Sequence, residues 1–102
     1  MSQYRVYQNR RGTHGPVPYL LDVQSDLVET GSRVVVPLVL ESEYGVRFSR
    51  LNPVFRIDGL MLVAATSDLA AVSAGDLGTE VADVSAYRDE IVAALDFLIL
   101  GY

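Results

Sequence analysis

The feature that most constrains this chain is a change of period near residue 85. Before it, short β-branched and aromatic runs are cut every few residues by Gly, Pro, Asn or Asp; after it, apolar residues recur at helical spacing. Residues 3–8, 19–23, 34–39, 54–57 and 60–65 read as strands, with shorter ones at 69–72 and 79–81. Residues 9–18 read as a loop or hairpin tip, 26–33 as a turn, and 41–48 as a polar excursion around Gly45. Asp58-Gly59 is the best hairpin signal, because both residue types tolerate the positive φ that a two-residue turn demands. Pro37 sits inside the densest β-branched run and has no N–H to give a ladder, which predicts an edge or a bulge there. Many short strands with frequent turns predict a mainly β domain, a small barrel or sandwich spanning residues 1–102.

The C-terminal segment is predicted to be the one helix. Ser85 is its expected N-cap, and Asp89 and Glu90 suit the positive end of the helix dipole. Tyr87, Ile91, Ala94, Leu95 and Leu98 form one apolar stripe, but Val92, Phe97, Ile99 and Leu100 lie off it, and Tyr102 follows a helix-ending Gly101. A helix that is apolar nearly all round is normally covered on more than one side. With 102 residues, half of them apolar, there is material for one small core. The surplus implies a dimer interface, a tail folded over the barrel, or an anchor offered to a partner.

The remaining residues speak against chemistry. A net charge of −5 repels polyanions on average, so direct nucleic-acid binding is not expected. Arg5, Arg10, Arg11 and His14 cluster early, either as a solvated loop or as a docking patch for an acidic segment. The chain has no cysteine, which excludes disulfides and thiolate sites. His14 is the only histidine, and no two ligand types are spaced like a zinc motif. Asp22 and Asp26 would share a helix face, but in a strand and turn their spacing carries no such meaning; Asp22 reads as a strand residue bonding backbone amides. The glycines match no phosphate-binding loop, and no serine has a histidine and acid in a recognisable arrangement. No catalytic residue, metal or cofactor is therefore expected. The N-terminus lacks the apolar stretch of a signal peptide, and no apolar run approaches the roughly 20 residues of a membrane span. A cytoplasmic protein is expected.

Several strings point further. Leu21-Asp22-Val23-Gln24-Ser25-Asp26, Val36-Pro37-Leu38, Pro53-Val54, the stretch from Thr66 through Glu80-Val81-Ala82-Asp83-Val84-Ser85, and the penultimate Gly101 resemble the CcdB toxins of bacterial toxin–antitoxin modules, nearly end to end. The resemblance implies an SH3-like barrel with a small side sheet, a long C-terminal helix and a homodimer. It implies two partners as well: the A subunit of DNA gyrase, trapped on cleaved DNA, and a CcdA-like antitoxin that removes the toxin. Carried over by position, the gyrase contacts are Leu27 and Val28 with Asp96, Leu100, Gly101 and Tyr102 on the helix. The antitoxin face is expected around Arg10 and Arg11, and Val92 and Ile99 are expected against the partner helix of the dimer.

The chain departs from that pattern at its end. The best-known members finish Trp-Gly-Ile, where this chain has Leu100-Gly101-Tyr102. A tryptophan can stack on an arginine of gyrase, a contact worth roughly 0.5–2 kcal/mol. Leu100 fills space without stacking, Tyr102 offers an aromatic surface further along, and Asp96 is an acid where those members have a neutral amide. Two alternatives follow: a degenerate relative that keeps dimer and antitoxin binding but spares gyrase, or a MazF/Kid-type ribonuclease on the same barrel using Arg10, Arg11, Thr66 and Ser67. The net negative charge and the CcdB strings weigh against the second, and a shared fold does not carry function.

Overall fold

The computed structural model describes residues 1–12 and 14–102. Its strands are β1 (Arg5–Asn9), β2 (Tyr19–Asp22), β3 (Ser32–Leu40), β4 (Val54–Ile57), β5 (Leu60–Ala64), β6 (Ala70–Ser73) and β7 (Leu77–Asp83). A one-turn helix α1 (Glu41–Tyr44) follows β3, and α2 (Arg88–Leu100) ends the chain. The strands make one antiparallel sheet in the order β4-β5-β3-β2-β1-β7, with β6 also paired to β3. This is the predicted mainly β, barrel-like fold with a C-terminal helix. The hairpin β4–β5 belongs to the same sheet, pairing with the C-terminal end of β3 through Leu38–Leu40.

β3 explains both the apolar run and its proline. Its N-terminal half pairs with β6 (Val35 opposite Ala70) and its C-terminal half with β5 (Leu38 opposite Ala64). Pro37 lies at this fork. On a strand, one residue's N–H and C=O point to the same side; the Pro37 carbonyl accepts from Ala65 N (2.9 Å), so its missing N–H faces the gap where the two partners part. No ladder bond is lost. The sequence predicts an edge or bulge, and the finding is a central strand that changes neighbours, which meets the same constraint.

The run Val34-Val35-Val36 is continuous because the sheet is covered on both faces there. Val36, Leu21 and Val6 belong to the main core with Leu38, Phe55, Ile57, Leu62, Val84 and Ile91. Their neighbours Val35, Leu20 and Tyr7 point to the other face, where they meet Leu77. Each fully buried Val or Leu contributes about 1.5–3 kcal/mol. Asp58 and Gly59 both have positive φ (52° and 76°) and close β4–β5 with Ile57 opposite Leu60, as their sequence predicts. Between β1 and β7 the register shifts on either side of Tyr7. Gly78 is needed beside it, since a Cβ would stand 3.1 Å from the Gln8 carbonyl oxygen.

The helix differs from its sequence reading at its start. Ser85 does not cap it; residues Ser85–Tyr87 form a 3-10 turn, and α2 begins at Arg88 with no side-chain cap. The acceptor at this corner is Asp83, whose Oδ1 takes the Ser85 N–H at 2.9 Å. Tyr87 is therefore outside the α2 stripe and half-exposed, packing edge-on against Phe55 with centroids 5.5 Å apart. Ile91 and Ala94 are buried as predicted, and Leu95 and Leu98 are half-buried. Ile91, Ala94 and Leu95 face Leu21, Val36 and Thr66. Among the described residues, no helix is long and apolar enough to cross a membrane.

Candidate functional site

The loop between β2 and β3 is built by polar side chains folded inward. Asp22 is fully buried and grips Arg33 through two bonds, Arg33 Nε to Oδ2 at 2.7 Å and Arg33 Nη2 to Oδ1 at 3.1 Å. The same Nη2 reaches the Gln24 carbonyl (3.2 Å) and Asp26 Oδ1 (3.4 Å). Gln24 accepts from Val34 N at 2.9 Å and donates to the Val28 carbonyl at 2.8 Å. Asp26 also accepts from Gln3 N at 2.9 Å, tying down the N-terminal segment. The Asp22 carboxylate raises the Arg33 pKa further, chiefly by direct hydrogen bonding. Asp22 does bond a backbone amide as expected, Gln24 N at 3.0 Å. Asp22 and Asp26 share no helix face, as expected, but a turn brings both onto one guanidinium.

That node leaves Leu27 and Val28 facing solvent. Leu27 is 96% exposed and Val28 is exposed as well, on a turn closed by Val28 N to Ser25 O (3.1 Å) and Leu27 N to Ser25 Oγ (3.2 Å). An apolar pair held outward by a rigid polar base is suited to contact another surface.

The end of α2 makes a second such surface. Gly101 adopts a left-handed conformation (φ 84°) and its N–H bonds Phe97 O at 3.1 Å, closing the helix. Leu100 is 57% exposed and Tyr102 80%, and Ile99 is largely exposed too. The end of the chain is thus not enclosed by its own protomer. Asp96 is exposed with no ion-pair partner among the described residues, and the last turn carries no basic residue to offset it. A carboxylate at the negative end of a helix dipole is an unfavourable placement for the isolated chain. No hydrogen bond or ion pair among the described residues joins this tip to the Leu27–Val28 loop.

The other residues singled out from sequence lie apart from these two surfaces. Val92 is half-buried against its own core, whereas Ile99 points out. Arg10 and Arg11 stand on the β1–β2 loop, where Arg11 pairs with Asp76 at 3.1 Å and Arg10 N bonds Asp76 O. His14 is exposed nearby. Thr66 is buried beneath α2, and Ser67 is exposed in the turn beside it. Among the described residues the Thr66 hydroxyl bonds no arginine; its contact is Ala64 O at 3.5 Å.

Sequence reading missed residues 46–50. Residues 46–48 pass there as part of a polar excursion and 49–50 are given no reading, yet Val46 is 87% and Phe48 66% exposed, and the Arg50 guanidinium lies 4.4 Å above the Phe97 ring. Two apolar residues inside a stretch expected to be polar were the available signal. Near the start of α2, Arg5 bonds Glu80 (2.9 Å) and pairs with Asp83 (3.2 Å). The Ser85 amide, with Arg5 as a smaller cause, holds the Asp83 carboxyl below its usual range. The model of the CcdB protein family matches residues 3–101, so the chain belongs to that family.

Proposed function

We propose that this member of the CcdB family is a toxin that binds the A subunit of DNA gyrase and holds the enzyme on cleaved DNA until a CcdA-like antitoxin removes it. Family membership points to the toxin of a toxin–antitoxin pair. The gyrase target is supported by one observation above all: past a closed helix cap, Leu100 and Tyr102 remain open to solvent. Leu27 and Val28 supply a second apolar surface on a rigid base. The mechanism is docking. Gyrase makes and breaks the DNA bonds, and this chain, by binding the cleaved state more tightly than the resealed one, shifts the population toward it. No residue of the chain is given a catalytic role in this reading. A homodimer would present two such tips, one per copy, through an isologous contact. The encounter would take place in the cytoplasm.

The replacement of the tryptophan by Leu100 favours a second reading, a relative that keeps its dimer and its antitoxin but spares gyrase. Purified gyrase incubated with relaxed plasmid, ATP and the protein separates the two. Linear DNA released on denaturing the complexes is the expected result; unimpaired supercoiling with no cleaved DNA selects the second reading. Intact single-stranded RNA after incubation with the protein is expected in both cases, and its cleavage would bring back the ribonuclease.

A further inference from the structure

Every polar group of Gln24 is engaged. Its N–H donates to Asp22 Oδ1 at 3.0 Å, and its carbonyl accepts from Arg33 Nη2 at 3.2 Å. The side-chain Oε1 accepts from Val34 N at 2.9 Å, and Nε2 donates to Val28 O at 2.8 Å. The first three bonds stay within the base of the β2–β3 loop. The fourth leaves that base and reaches the exposed turn.

The side chain takes over a ladder that the backbone abandons. Pairing of β2 with β3 ends with Asp22 opposite Val35. The Val34 carbonyl still accepts from Val23 N at 3.0 Å, but the Val34 N–H, on the same side of the strand, meets the Gln24 side chain instead of a main-chain carbonyl. A carboxamide accepts at one end and donates at the other, so it can stand where a peptide group would and tie a second segment to the sheet. That segment is Val28.

The turn it reaches has few other ties. Val28 N to Ser25 O and Leu27 N to Ser25 Oγ close the turn on itself without joining it to the sheet. Asp26 fastens its first half, accepting from Gln3 N and Arg33 Nη2. Past Val28, the next main-chain tie among the described residues is three positions on, where Gly31 O accepts from Ala74 N at 3.2 Å. The second half of the turn, which carries the exposed apolar pair, therefore depends on Gln24.

We infer that Gln24 is a positioning residue for partner docking: by holding the Val28 carbonyl, its carboxamide keeps Leu27 and Val28 in the outward arrangement that the partner meets. The inference rests on the proposed docking of these two residues on the gyrase A subunit. Gln24 acts through Val28, and its effect is preorganisation, since a turn already ordered need not be ordered at the moment of binding.

Gln24→Glu tests this by cutting one link. It keeps an oxygen for Val34 N and replaces the donor facing Val28 O with a second oxygen. Affinity of the full chain for immobilised gyrase A subunit, read by surface plasmon resonance, is expected to weaken about tenfold, the cost of ordering roughly one backbone residue on binding. Amide order parameters from nitrogen-15 relaxation should fall at Leu27 and Val28 from about 0.85 toward 0.6, while Val34 stays rigid. Gln24→Met covers a chain that folds poorly with an added charge beside Asp22 and Asp26; it should weaken binding by a similar factor. Ile57→Val, in the core, is expected to lower Tm and leave the affinity unchanged, which separates positioning from stability. The proposal is overturned if both Gln24 variants bind as wild type does, if Leu27 and Val28 stay equally ordered in them, or if Ile57→Val weakens binding as much. A wild-type chain that fails to bind the subunit would remove the gyrase reading and this inference together; wild-type binding with unchanged variants would remove the inference alone.

Discussion

The β2–β3 loop and the end of α2 solve opposite problems at the surface. In the loop, Asp22, Gln24, Asp26 and Arg33 turn their polar groups toward one another, and two apolar residues are left outside. At the helix end the Gly101 N–H closes the last turn onto Phe97 O, and Ile99, Leu100 and Tyr102 are left largely uncovered by their own protomer. The loop is held by interactions already satisfied within the chain, whereas the tip keeps side chains free for contact. The loop thus exposes its apolar pair on a base of internal hydrogen bonds, whereas the tip exposes side chains with no such base, and substitutions in each should read out differently.

The largest effect is expected in the loop. Asp22→Ala leaves a buried guanidinium without its main partner and should cost about 3–5 kcal/mol. In a domain of this size that lowers Tm by roughly 10 °C or more, measurable by circular dichroism. An unchanged Tm would mean that Asp26 alone suffices for Arg33. The tip should behave in the contrary way. Removing Leu100, Gly101 and Tyr102 is expected to abolish gyrase cleavage complexes while changing stability by less than about 0.5 kcal/mol, since these side chains are mostly exposed. A truncated chain that still traps gyrase would take the tip out of the mechanism. Leu100→Trp sharpens the point: it restores a face that can stack on an arginine and should lower the concentration needed for half-maximal cleavage by about 2- to 30-fold, matching a cation–π contact of roughly 0.5–2 kcal/mol.

The smallest effect concerns pH. The folded chain holds the Asp83 carboxyl below its ordinary value, so the unfolded chain takes up that proton first as pH falls. The resulting stabilisation is present above the ordinary carboxyl range and is lost as pH drops through the depressed value. Asp83→Asn keeps an acceptor for the Ser85 amide and removes the titration. It should therefore flatten the acid limb of Tm against pH relative to wild type, with little change near neutrality.

Much of the fold was legible because it follows from local rules. Asp58-Gly59 closes its hairpin for a backbone reason that any two-residue turn imposes. Gly101 ends α2 for the same kind of reason. The Ser85 cap failed because two acceptors of similar quality lie two residues apart, and Tyr4 O, by taking the Val84 amide, sets where the chain turns. The candidate site was half legible. Leu100 and Tyr102 stood out as apolar residues in surplus of one helical stripe, while Phe48 and Arg50 did not, since nothing nearby in sequence shows that Asn52 will be buried and turn them outward.

By itself the sequence determined the seven strands, the C-terminal helix, the turn chemistry and the surplus of apolar side chains at the helix end, though not the one-turn helix Glu41–Tyr44, because each of the former depends on residues within a few positions of one another. Only the tertiary structure decided that Asp22 and Asp26 meet on Arg33, that β3 changes partner at Pro37, and that Arg50 lies over Phe97. Those are pairings between segments that periodicity does not relate. They come about when the sheet curls and brings distant residues within reach, which is where burial and hydrogen bonding select one arrangement among many.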